Sequence, residues 1–94
     1  MNTWDEKKRL RNIKDHGIDF ADLEYFFDQP MWSYEDRHSD HAELRIHSLG
    51  MINGKVVVVI WTPSSGGARI ISCRYGEKHE TRDYFENVFY PGAD

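Results

Sequence analysis

The spacing of apolar residues changes twice along this chain, and each change marks a new kind of element. Between Asp5 and Asp15, Leu10 and Ile13, with Trp4 just before, fall at helical spacing in a highly charged segment and predict a first helix. Asp5 is placed to cap it, Glu6 suits its N-terminal end, and His16-Gly17 stops it, with Gly17 at the C-cap and His16 beside the negative end of the dipole. A second helix is expected from an Asp19 cap through Phe27. Asp22 forms a variant capping box, and Phe20, Leu23, Phe26 and Phe27 make one apolar side. Gln29-Pro30 ends it.

From Met31 onward the period becomes two. A short strand is expected over 31–35, then a longer one in which Leu44, Ile46 and Ser48 alternate with Glu43, Arg45 and His47. Asn53-Gly54 is a strong hairpin signal. The run Val56 to Trp61 is apolar on both faces, as a central strand requires. A turn over 63–67 leads to a strand over 68–75, and a final helix is expected over 78–90 with Tyr84, Phe85, Val88 and Phe89 on its apolar side. The fold class predicted is α+β: two N-terminal helices, a three- to four-stranded antiparallel sheet, and a C-terminal helix.

With 94 residues the chain suits one domain rather than two, and its thin core must draw on three Trp, five Tyr and five Phe. No apolar run reaches the roughly 20 residues of a membrane span, and the opening residues lack the apolar stretch of a secretory leader. The single cysteine, Cys73, has no internal partner, so a reducing, cytoplasmic setting is expected. The net charge of −4 argues against a nucleic-acid ligand until its distribution is considered. Residues 1–18 hold five basic and three acidic side chains, and 44–78 hold five basic and one acidic, whereas 19–43 hold one basic and eight acidic. Screening beyond about 8 Å lets a basic face act locally on an acidic protein. Charge alone equally suits ordinary solvated faces.

The most suggestive chemistry is on the strand carrying Glu43, Arg45 and His47, because side chains two apart share a face. A carboxylate can take the proton of an RNA 2′-OH, and a guanidinium can hold the charge that builds on phosphorus. Exposed cross-strand ion pairs would present the same residues. Arg69 and Arg74, five apart, lie on opposite faces of a regular strand, so only one reaches Arg45's groove unless a bulge intervenes; Arg74, at the strand end, is favoured. Glu80 and Tyr84 share a helix face and are placed to close over that end. Lys7, Lys8, Arg9, Arg11 and Lys14 make the first helix basic, suited to RNA backbone, a protein partner or water. His38 and His41, with Asp36 and Asp40, lack a third fixed ligand, so neither a metal nor another cofactor is expected.

In sequence order, Trp4-Asp5, Lys8, Asn12, Lys14, His16-Gly17-Ile18, Phe20, Phe27-Asp28-Gln29-Pro30, Glu43-x-Arg45, Gly50, the 56–62 strand, Arg69-Ile-Ile-Ser-x-Arg74, Glu80 and Tyr84 resemble the BrnT toxins over residues 4–85. The resemblance implies one toxin domain over 1–94 with a RelE-like fold. It also implies endoribonuclease activity and a BrnA-type antitoxin that binds the toxin and represses the shared operon. Glu43, Arg45, Arg74 and Glu80 become the expected catalytic positions, with Arg69, Tyr84, His47 and Lys14 as substrate-binding positions. RNA is the expected substrate, operator DNA is met only through the antitoxin, no membrane is involved, and the complex is expected as a dimer of heterodimers. Tyr75 and His79 depart from the family's usual Lys and Arg and remove positive charge near the phosphate site. Two readings therefore stand: an active metal-independent ribonuclease, or a weakened homologue that mainly docks an antitoxin. A standalone interaction module ranks below both.

Overall fold

Five strands form one mixed sheet in the computed structural model, which describes residues 1–36 and 43–89. The elements are β1 (Asn2–Trp4), α1 (Glu6–His16), two 3₁₀ turns (Phe20–Leu23 and Phe26–Asp28), β2 (Trp32–Glu35), β3 (Ile46–Ile52), β4 (Lys55–Ser64), β5 (Gly67–Tyr75) and α2 (Lys78–Val88). The strand order is β1-β5-β4-β3-β2. The β2–β3–β4–β5 meander is antiparallel, as expected, and the Asn53-Gly54 turn joins β3 to β4 with both residues at positive φ, the geometry of a tight hairpin.

Three expectations need correction. First, the sheet has a fifth strand: residues 2–4 pair with β5 in parallel, making the sheet mixed. Three residues are too few to show a period, and their stability comes from long-range contacts. The Met1 ammonium donates to the Gly66 carbonyl at 2.9 Å, and the Asn2 amide donates to the Leu23 carbonyl at 2.9 Å. Second, the predicted second helix is two 3₁₀ turns. Asp19 does cap the first, accepting the Ala21 N–H at 2.9 Å. Phe20, Leu23 and Phe26 are all buried and spaced by three, a period that stacks them on one side of a three-residue turn rather than a 3.6-residue helix. Third, Leu10 and Ile13 are exposed on α1, and the buried residue of that helix is Asn12.

Asn12 explains why a helix with its apolar residues outside stays on the sheet. Beyond Ile70 the β5 edge has no strand beside it, because β1 ends at Trp4 and the chain turns into α1. The Asn12 amide fills that place. Its Oδ1 accepts the Cys73 N–H at 3.0 Å, and its Nδ2 donates to the carbonyls of Cys73 (2.8 Å) and Ile18 (2.9 Å). Gln29 does the same at the other side of the sheet, ahead of the start of β2: its amide exchanges two hydrogen bonds with Met51, at 2.9 and 2.8 Å. Buried backbone groups must be paired, and here two side-chain amides substitute for the missing strand.

Both sheet faces are covered. On one, Val57, Val59, Ile70 and Cys73 meet Ile18, Phe20, Leu23 and Phe26, while Ser48 is satisfied by Ser33 and the Trp61 indole. On the other, Leu49, Val56 and Val58 meet Tyr84, with Phe85 and Val88 packed around them. No helix among the described residues is long and apolar enough to cross a membrane.

Replacing Asn12 by Ala strands the buried N–H and C=O of Cys73 and is expected to lower stability by about 2–4 kcal/mol in urea unfolding. Burial pushes the Cys73 thiol up to about 12, so alkylation reports opening of this edge and should accelerate in parallel. A stability within about 0.5 kcal/mol of the parent would contradict the clamp.

Candidate active site

A β-bulge brings the cations together. Ile60 pairs with Ser72 but Trp61 pairs with Ile70, so Ile71 is an extra residue in β5. Arg69 therefore faces with Thr62 and Arg74 with Val58; these partners are four apart on β4, which places both arginines on the α2 side of the sheet. The condition under which both could join Arg45's groove is met.

The α2 side can be followed rung by rung. Trp32, Leu49, Val58 and Arg74 form one rung, and Tyr34, His47, Ile60 and Ser72 the next. Arg45 precedes Ile46, the partner of Trp61, so the third rung carries Arg45, Thr62 and Arg69. The Arg45 carbonyl accepts the Asp36 N–H at 2.9 Å and so continues the β2–β3 pairing past the strand end. Strand spacings put the Arg45 and Arg69 Cα atoms about 10 Å apart, and the Arg45 and Arg74 rungs about 13 Å apart along the strands.

Arg74 is the best-ordered cation of this face. Its Nη1 and Nη2 donate to Glu80 Oε1 and Oε2 at 2.7 and 2.9 Å, a bidentate fork, and Nη1 also lies 3.3 Å from the Tyr75 carbonyl. Glu80 is only 6% exposed and lies in the first turn of α2, where its Oε1 accepts the Glu77 N–H at 2.8 Å; Glu77 returns the bond in a reciprocal capping box. The Arg74 hydrogen bonds hold the Glu80 carboxyl below its usual range, against burial, and Glu80 in turn raises Arg74. Nothing among the described residues accepts from Arg74 Nε, which leaves that edge of the guanidinium for a ligand.

The remaining expected positions divide. Glu43 is exposed, lies before β3 rather than in it, and pairs with the half-buried Arg45 at 3.6 Å. Arg45 and Arg74 are thus less exposed than a surface pair would be, at 19% and 30% for their side chains. His47 stacks under Tyr34 with Nε2 3.5 Å from Asp36 Oδ2, and neither buried ring nitrogen makes a hydrogen bond, so the imidazole is packed rather than presented. Tyr84, expected to bind substrate, is 2% exposed and lies in the core beneath α2, edge-on to Phe85 and Phe89; its helical spacing from Glu80 sends it inward. Lys14 sits in the last turn of α1, outside the α2 face. Lys8 and Arg11 of the same helix, by contrast, line one pocket with Ile71 and Ser72, so part of the basic helix borders the β5 end of the middle rung. Tyr75 turns its ring to Lys55, 5.2 Å from the ammonium, and His79 is exposed 4.0 Å from Glu77. Sequence reasoning passed over Tyr34, whose period-two relation to Trp32 was its only signal, and the amide role of Gln29, which depends on where β2 begins. No group of three or more His, Cys, Asp or Glu is arranged to hold a metal among the described residues; His38, Asp40 and His41 lie outside them.

The chain that carries this arrangement is similar to known proteins. The model of the ribonuclease toxin BrnT of type II toxin–antitoxin systems matches residues 4–80. Among solved structures the chain is similar to the crystal structure of the Brucella abortus ribonuclease toxin BrnT, with 34% identity, a TM-score of 0.66, and coverage of 83% of this chain and 99% of that one. No curated protein matches. The class is thus that of the toxins of type II toxin–antitoxin systems. Within it, the chain belongs to the BrnT family.

Because Glu80's carboxyl is held low in the folded protein, its contribution to stability is complete above the unfolded value near 4.5 and is lost as pH falls through the lower folded value. Glu80→Gln is expected to be less stable at pH 7 and to lose less on acidification. The difference between the two urea midpoints should shrink between pH 5 and 3 and vanish below; a constant difference would refute the coupling.

Proposed function

We propose that this protein is a metal-independent endoribonuclease toxin, neutralised by a BrnA-type antitoxin. Membership of a type II toxin family implies an antitoxin partner. The observation that carries the ribonuclease reading is the Arg74–Glu80 fork, which presents a preorganised guanidinium beside an arginine-lined sheet face. A phosphodiester lying over the Tyr34–Ile60 rung meets Arg74 at one end and Arg45 at the other. Glu43, the more exposed carboxylate, takes the proton of the 2′-OH, and O2′ attacks phosphorus. The P–O5′ bond then breaks, water protonates the 5′ oxygen, and a 2′,3′-cyclic phosphate remains. Arg45 and Arg74 stabilise the phosphorane, and Arg69 holds a neighbouring phosphate.

Glu80 is a positioning residue in this scheme. Both of its oxygens are occupied and its carboxyl is held ionised with low basicity, so it fixes Arg74 rather than moving a proton. Ring packing gives His47 and Tyr84 supporting roles, His47 behind Tyr34 and Tyr84 beneath α2. The antitoxin silences the enzyme by covering the α2 side near Arg45, Arg69 and Arg74, where acidic side chains complement the cations. The weakened-homologue reading rests on Tyr75, an uncharged residue following Arg74 whose ring engages Lys55.

Arg74→Ala is expected to reduce cleavage about 100- to 1,000-fold, and Arg74→Lys to recover only part of it. Because Arg74→Ala also leaves Glu80 buried without its partner, it should cost about 1.5–3 kcal/mol of stability. The double variant Arg74→Met/Glu80→Leu separates the two effects: it removes the unpaired buried charge, should regain the part of the stability not due to the lost Glu77 cap, and should remain inactive. Near-parental cleavage by the folded double variant would remove Arg74 from the reaction.

Cleavage of RNA by the purified protein should persist in excess EDTA. Loss of activity restored by one divalent ion would overturn the metal-free scheme and bring His38, His41, Asp36 and Asp40 forward.

A further inference from the structure

The geometry points to Tyr34 as the platform of a nucleobase subsite, on which a base of single-stranded RNA stacks while its phosphates lie toward Arg45 and Arg74. This inference rests on the ribonuclease reading and deepens it. Tyr34 occupies the edge-strand end of the middle rung, between the rungs of the two arginines. Its ring is one of three in a row on this side of the sheet. It lies 5.1 Å from His47 with only 29° between the planes, and 5.6 Å from Trp32. The other two rings are committed to the interior: Trp32 packs against the core under α2, and both nitrogens of His47 are buried. Tyr34 is the member of the row left open, at 40% exposure, and its hydroxyl makes no hydrogen bond among the described residues.

A backed, outward-facing ring is what base stacking needs. The imidazole behind it limits rotation, so little side-chain freedom is lost when a flat ligand arrives. The charges that act on it are mixed: Glu80, Asp36 and Asp83 are negative, and Arg74, paired with Glu80, is positive. An anion gains little over the ring itself, whereas a neutral base avoids the carboxylates and leaves its phosphate to the guanidiniums. Burial and the neighbouring carboxylates keep the phenol neutral, so stacking, not proton transfer, is its contribution. Stacking on an aromatic face requires a base free of its helix, which restricts the substrate to unpaired segments.

The test uses a short single-stranded RNA that the parent protein cleaves, and the same RNA made abasic at the nucleotide next to the cut. Tyr34→Leu is expected to raise KM about 10- to 100-fold with a smaller change in kcat, and Tyr34→Phe to keep parental kinetics. The abasic RNA should lose a similar factor with the parent protein and nothing further with Tyr34→Leu, whose melting temperature verifies that it is folded. Parental KM in folded Tyr34→Leu, or abasic and Leu penalties that simply multiply, overturns the subsite and leaves the ribonuclease reading intact. A parent protein that neither cleaves RNA nor shifts the anisotropy of a labelled oligonucleotide overturns the ribonuclease reading, and the subsite with it.

Discussion

Two hydrogen bonds, from Arg74 to the two oxygens of Glu80 at 2.7 and 2.9 Å, tie the end of β5 to the first turn of α2, and the layout of the α2 side follows from them. The same carboxylate accepts the Glu77 N–H, so one buried group caps the helix, anchors it to the sheet and orients a guanidinium. From that anchor α2 lays Tyr84, Phe85 and Val88 over Leu49, Val56 and Val58. Ile60 joins this apolar contact from the middle rung, while Arg45, Thr62 and Arg69 form the polar rung beyond it. An ion pair this well satisfied gives geometric precision more than net stability, because desolvation offsets much of its attraction. For a site that must hold a charge in place, precision is the useful product.

The sheet that carries the site is wider than its strands alone allow. β1 and β2 are three and four residues long and leave stretches of β5 and β3 without a neighbour. Asn12 and Gln29 close those stretches with side-chain amides, which offer the same donor and acceptor as a peptide group. The Asn12 clamp also accounts for α1 facing outward with Leu10, Ile13 and its lysines, since a polar contact rather than an apolar stripe holds it.

The extra residue at Ile71 has a different effect. A regular β5 would send Arg69 and Arg74 to opposite sides of the sheet, and the bulge puts both on one. Three arginines then share a face that a −4 protein would not be expected to present. A local irregularity in one strand changes the chemistry of the whole face.

The antiparallel meander, the Asn53-Gly54 hairpin, the caps at Asp5, Gly17 and Asp19, and the final helix were legible along the chain, because each depends on neighbours within a few residues. Arg74 and Glu80 were legible as a pair through strand-end position, helix phase and ordered family motifs. Residues 2–4 become a strand, the 20–28 segment tightens into 3₁₀ turns, and Tyr84 goes inward while Tyr34 stays open, through contacts made in the folded chain. Each of those outcomes depends on partners far along the chain. β1 needs β5, the turns need the sheet beneath Phe20, Leu23 and Phe26, and the two tyrosines differ only in what α2 covers. Local propensity is a property of a segment; burial is a property of the assembled whole, and it sorts side chains of the same type into core and site.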